Sequence, residues 1–266
     1  MHRAMHHVIS ADGTPIAVHD TGSGPAVVIV NGALSTAKDA AALAATLAES
    51  GMRAITYDRR ARGDSGDTTP FSPRREAEDL AAVIADAGGE VAVLGHSSGA
   101  MIALYAASLA VETGVPVRAL FLSEPPFHFG IDEPAPDLPS RIQAFVDAGD
   151  REEAVVLFQR EAVGLPDAMI AQFRATDAFA GIVPLAQSTV YDATLARELS
   201  TPTDAMLTVD VPVTILCGQQ TFPILTAAAE RLAAAMPHAE LIVSPESVGH
   251  RLDPAAATRI VTARLS

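Results

Sequence analysis

The chain contains a single cysteine, Cys217, and a single lysine, Lys38. A lone cysteine excludes an internal disulfide and a cysteine-held metal cluster. Cations are scarce altogether: 18 Lys and Arg stand against 32 Asp and Glu, a formal net charge of −14. That imbalance argues against a sequence-independent grip on nucleic acid or an anionic membrane, since both need clustered positive charge. Long apolar runs are missing too. The longest, residues 100–111, falls far short of the ~20 residues that span a bilayer. The opening residues, MHRAMHHVISADG, lack the continuous apolar stretch of a secretory signal. No histidine–carboxylate spacing suggests a metal, and Gly22-Ser23-Gly24 is a turn rather than a phosphate-cradling loop that opens a helix. These absences predict a cytoplasmic protein with no cofactor, no metal, and neither nucleic-acid nor membrane partners.

What is present is apolar bulk and a regular rhythm. At 266 residues and 49% hydrophobic, the chain can bury one large core with room for an inserted subdomain. Strand-like runs at 14–20, 26–30, 53–57, 91–94 and 117–122 alternate with helical stretches at about 36–49, 73–87 and 100–109. Ser72-Pro73 has the chemistry of a helix start, with proline at the first helical position, and Gly88-Gly89 the chemistry of a stop. Strand, helix, strand at this spacing needs crossover connections, hence a mostly parallel central sheet flanked by helices. After residue 124 the rhythm breaks into prolines and helical pieces, then resumes with strands at 211–217 and 240–243 and helices at 223–235 and 254–265. The predicted α/β architecture is a core of residues 1–124 and 206–266, with residues 125–205 inserted as a helical cap over the strand ends.

The richest chemical signal is Gly95-His96-Ser97-Ser98-Gly99, placed directly between the apolar run Val91-Ala92-Val93-Leu94 and a helical stretch. A serine on a sharp strand-to-helix turn is lifted clear of the sheet, and the glycines let neighbouring elements approach. Serine oxygen is a weak nucleophile until a base takes its proton, so Ser97 needs a histidine. Of the eight, His250 lies in a glycine-containing loop after the last strand. In a parallel sheet that loop falls on the same edge as Ser97. His128 is the reserve base, and His96 is expected to point into the sheet. The backbone N–H of Ser98 would supply one donor to an oxyanion.

Together, Gly-x-Ser-x-Gly, the late Gly249-His250 and the run Tyr57-Asp58-Arg59-Arg60-Ala61-Arg62-Gly63-Asp64-Ser65-Gly66 resemble the α/β-hydrolase fold family, over nearly the whole chain. The resemblance implies a carboxylate behind the histidine, usually in Gly-x-x-Asp after the strand that follows the cap. Here that slot reads Gly218-Gln219-Gln220-Thr221. A second family placement, at the end of the strand after the nucleophile helix, holds Glu124 in Ser123-Glu124-Pro125-Pro126, an arrangement similar to that of resorcylic-lactone hydrolases and some dehalogenases. The resemblance also implies a second oxyanion donor in the loop after the strand at 26–30, where Asn31-Gly32-Ala33-Leu34 replaces the common His-Gly. Ala33 N–H is the expected donor and Gly32 its rival. The loop 58–66 is expected to brace the structure.

Seven of the twelve aromatic residues fall between 127 and 191, which predicts an apolar pocket and a hydrophobic small-molecule substrate. The function that follows is hydrolysis of an ester or lactone by Ser97, His250 and Glu124, with Ala33 and Ser98 holding the oxyanion. A serine nucleophile disfavours the fold's epoxide hydrolases and haloalkane dehalogenases, which use aspartate. Two other classes stay open at this point: a lyase or cyclase using Ser–His for proton transfer, and a small-molecule-binding protein descended from a hydrolase.

Overall fold

The computed structural model describes residues 3–265. Eight strands form one sheet: β1 Arg3–Ile9, β2 Pro15–Gly22, β3 Ala26–Val30, β4 Arg53–Tyr57, β5 Val91–His96, β6 Val117–Ser123, β7 Val213–Gln220 and β8 Glu240–Val248. Their order is β1-β2-β4-β3-β5-β6-β7-β8. The β1/β2 and β2/β4 pairs are antiparallel, and every other pair is parallel. The predicted α/β class therefore stands.

Both faces of the central strands are covered, which is why they read as continuous apolar runs. Val28, Val30, Val91 and Val93 face one layer, where the helices Pro73–Ala87 and Ser98–Ser108 pack. Val27, Ile29, Ala92 and Leu94 alternate to the other, against Ala41–Glu49 and Pro254–Leu265. The helix Pro73–Ala87 starts and stops where proline and glycine place it, with Gly88 at φ 71, although the Ser72 side chain makes no capping bond.

Two strands differ from expectation. Residues 3–9 pair with β2, although only Val8 among those whose burial is described lies in the core, too little to give an alternating pattern. β8 continues five residues past its expected end at 243. Ser244-Pro245-Glu246 reads as a turn in sequence, but β8 is the last strand of the sheet, where a proline costs no ladder bond on the open side.

Between β6 and β7 the described elements are all helical, from Leu138–Ala148 to Asp204–Leu207. This segment builds its own apolar cluster around Ile142, Val155, Phe158, Ile170, Phe179 and Tyr191. Its helix Ala186–Glu198 is anchored to the sheet side through Leu195, which joins the main core.

Candidate active site

The parallel strands bring their C-terminal loops to one edge, and the chemistry gathers there. Ser97 occupies the turn between β5 and the helix Ser98–Ser108 at φ 55, ψ −127, a conformation that non-glycine residues rarely adopt. Its N–H donates to Ser123 O at 2.8 Å, tying the turn to the end of β6. The flanking glycines are required by close approach. A Cβ at Gly95 would collide with the Gly99 carbonyl and Ala100, and one at Gly99 with the carbonyls of Val30 and Asn31.

His250 follows β8, with Gly249 N–H donating to Gln220 O at 2.7 Å. The imidazole lies between two of the predicted partners. Its Nε2 is 3.0 Å from Ser97 Oγ, and its Nδ1 is 2.5 Å from Glu124 Oε2. Glu124 is 3% exposed, and its second oxygen accepts Gly218 N–H at 2.9 Å. Burial pushes the Glu124 carboxyl up, but the bonds from His250 and Gly218 outweigh it and hold the group below the ordinary carboxylate range. Ser97, Glu124 and His250 all have positive φ, at 55, 47 and 60. Backbone strain of this kind concentrates where a side chain must be aimed.

Thr221 makes no hydrogen bond to His250. Its buried Oγ1 has no partner of good geometry, and it lowers the Glu124 pKa less than the bonds from His250 and Gly218 do. His128 makes no hydrogen bond to Ser97 among the described residues; its Nδ1 donates to Ile131 O at 3.1 Å. His96 corrects the expectation that it points away into the sheet. Its ring packs 4.7 Å from that of His250, and its Nδ1 is 3.1 Å from Ser123 Oγ. Burial, reinforced by the neighbouring His250, pushes its pKa down to about 4.

Gly32 approaches Ser97 so closely that a Cβ would come within 2.9 Å of the serine Cβ. Among the described residues, neither Ala33 N–H nor Ser98 N–H has a hydrogen-bond acceptor, the latter because it belongs to the first turn of a helix. Ser98 follows the serine directly, and Ala33 lines the same cavities as Ser97.

Two cavities meet at Ser97. The larger, about 480 Å³, is lined by Asn31, Leu34, Leu43, Gln159, Leu165 and Leu252 among others. The smaller, about 90 Å³, is lined by Met101, Pro126, His128, Phe222, Ile224 and Leu225. Ala33, Phe158, Val163 and His250 border both. Of the seven aromatic residues between 127 and 191, only Phe158 reaches these cavities. The others pack elsewhere, as Tyr191 does on Phe71 and Phe173 on Phe179. The apolar lining is mainly aliphatic.

The loop 58–66 braces the site from behind. Arg59 pairs with Glu76, Arg60 with Asp79 and Arg62 with Asp192, all with fully buried arginine side chains, and none of the three lines either cavity. Ala61 stands at φ 60, in the left-handed region that favours glycine. Asp192 was not foreseen from sequence, because one carboxylate within a helix carries no local signal of what it will meet.

Strained nucleophile turn, strand order and flanking helices define an α/β-hydrolase fold. The family model for the alpha/beta hydrolase family matches residues 27–261, and the chain belongs to that family. It is similar to an alpha/beta hydrolase from Sphaerobacter thermophilus DSM 20745, with 36% identity, 98% of this chain and 100% of that chain covered, and a TM-score of 0.88. It also shares its fold with a thermophilic esterase from Thermogutta terrifontis at 20% identity, covering 99% and 97% of the two chains with a TM-score of 0.73. An esterase from Exiguobacterium antarcticum aligns at 23% identity, 97% and 98% coverage and a TM-score of 0.72. No curated relative matches the sequence. Family membership supports a hydrolase. No described helix is long and apolar enough to cross a membrane.

Proposed function

We propose that the protein is a serine hydrolase that cleaves a hydrophobic small-molecule ester or lactone without a cofactor. The observation that carries this reading is the single imidazole bridging Ser97 Oγ at 3.0 Å and Glu124 Oε2 at 2.5 Å. Glu124 accepts a hydrogen bond from Nδ1–H, which fixes the tautomer and leaves Nε2 free to take the proton of Ser97 as its oxygen attacks the carbonyl carbon. The oxyanion of the tetrahedral intermediate is held by Ser98 N–H and Ala33 N–H. His250 then passes its proton to the departing alkoxide, leaving an acyl group on Ser97. Water, deprotonated by the same imidazole, attacks that acyl group. A second tetrahedral intermediate collapses, Ser97 regains its proton from His250, and the acid departs.

The aliphatic cavities on either side of Ser97 suit an ester with apolar groups on both sides of its carbonyl, or a lactone folded across the junction. Residues 125–205 act in this reading as a cap, because Phe158 and Val163 from the helical segment border both cavities. Intact-protein mass spectrometry after exposure to a fluorophosphonate tests the core of the proposal. Wild-type protein gains one adduct and Ser97→Ala gains none. A folded wild type that stays unlabelled overturns the reading.

A further inference from the structure

We propose that Arg62 and Asp192 are positioning residues that hold the oxyanion-binding peptide in its working orientation, so that the helical segment sets the geometry of the nucleophile loop. This rests on the hydrolase reading above and extends it. The Gly32 carbonyl accepts from Arg62 Nη1 at 2.7 Å, from Ser35 Oγ at 2.7 Å and, more weakly, from Arg59 Nη1 at 3.4 Å. In a planar trans peptide the carbonyl and the following N–H point in opposite directions. Anchoring Gly32 O behind the loop therefore aims Ala33 N–H forward. Ala33 borders both cavities, and among the described residues its N–H has no acceptor. Turning this peptide over would break the Arg62 and Ser35 bonds and present an oxygen where the oxyanion must sit.

The anchor leads back to one carboxylate. Asp192, on the helix Ala186–Glu198, accepts Arg62 Nη2 at 2.6 Å on Oδ2. Its Oδ1 accepts Ser98 Oγ at 2.9 Å and lies 3.1 Å from Arg59 Nη2. Ser98 carries the other expected oxyanion donor, so a single side chain from the helical segment ties down both donor residues. The loop needs such a hold: Leu34, next to Ala33, sits at φ 53, a region unfavourable for a branched side chain. Arg62 and Asp192 are 0% and 1% exposed, and charges so deeply buried are costly unless they are paired and fully used. Two of the Arg62 nitrogens are spent on Gly32 and Asp192, while its buried Nε has no partner. That allocation favours orientation of the loop over maximal stability.

Arg62→Lys and Asp192→Asn test this, because each keeps most of the volume while a lysine cannot bridge Gly32 and Asp192 as a guanidinium fork does. Hydrolysis of p-nitrophenyl butyrate is measured alongside inhibition by a trifluoromethyl ketone, which forms a tetrahedral adduct, and thermal melting. Loss of one oxyanion donor costs about 10²–10³ in kcat elsewhere, so a misaimed donor here is expected to lower kcat by about 30- to 100-fold. KM should stay within about twofold, while the trifluoromethyl ketone binds more weakly by the same factor as the loss in kcat. If both variants melt at lower temperature yet keep wild-type kcat and ketone affinity at a temperature where they are folded, the pair is only a structural tie and the proposal falls. A wild type that neither hydrolyses the ester nor is labelled at Ser97 overturns the hydrolase reading first, and this inference with it.

Discussion

Two neighbouring strand ends in the same sheet carry opposite chemistry. β6 runs into Ser123 and Glu124, whose carboxylate is buried, strained to φ 47 and bonded to both His250 and Gly218 N–H. β7, one strand further, runs into Thr221, where the family resemblance leads one to look for the acid, and that hydroxyl has no partner of good geometry. The side chain that meets the imidazole comes from the strand nearer the nucleophile, and its second carboxylate oxygen reaches across to Gly218 N–H on β7. The general lesson is that an acid is defined by the point in space it reaches, and two loops of a parallel sheet can reach the same point.

The largest expected effect comes from removing the β6 carboxylate's charge. Glu124→Gln keeps the shape but presents an amide to His250 Nδ1, and kcat for p-nitrophenyl butyrate should fall by about 10³–10⁴-fold, with the fold intact by circular dichroism. Activity within a few-fold of wild type would break the contrast between the two strand ends. Adding Thr221→Asp to that variant sharpens it. A carboxylate supplied from the β7 end should restore kcat by at least about tenfold, because Thr221 already neighbours the Glu124 carboxyl. No recovery would mean that the β7 end cannot serve this histidine.

A smaller effect concerns stability in acid. His96, held against Ser123, has its pKa pushed down to about 4 by burial and by His250. A base whose folded pKa lies below its ordinary value of ~6.5 is protonated first in the unfolded chain, so folding stability declines as pH drops from that value toward the folded one. Between pH 7 and 4.5 this amounts to about 2 kcal/mol. Glu124, with its carboxyl held low, adds a further loss only when the pH falls below the ordinary carboxylate range and through its folded pKa. Urea unfolding at the two pH values should show His96→Gln losing about 2 kcal/mol less than wild type. Equal losses would remove His96 from the account.

Much of the fold was legible because its signals are local. The strands at 26–30 and 53–57 coincide with β3 and β4, and the helices over 223–235 and 254–265 have the expected bounds. β1 was missed because its residues become a strand only by pairing with β2, and the end of β8 because Pro245 looks like a break until the strand proves to be an edge. The aromatic residues of the helical segment misled for a related reason: composition places them near the site but does not say which way each faces, and most fill that segment's own core.

At the site the division follows sequence separation. Residues 95–99 are contiguous, so the two glycines, the strained serine and the helix start that frames it are all determined by five neighbouring residues and the apolar runs on either side. Alternation of strand and helix likewise determines that Ser97, Glu124 and His250 belong to one edge. The meeting of Glu124 with His250 spans 126 residues, and that of Arg62 with Asp192 spans 130. No local pattern encodes such pairs, because their distance depends on how the sheet twists and where the helical segment docks. Only the tertiary structure decides that a glutamate, not the threonine one strand over, stands behind the histidine, and that a carboxylate on the helix Ala186–Glu198 reaches the loop behind the serine.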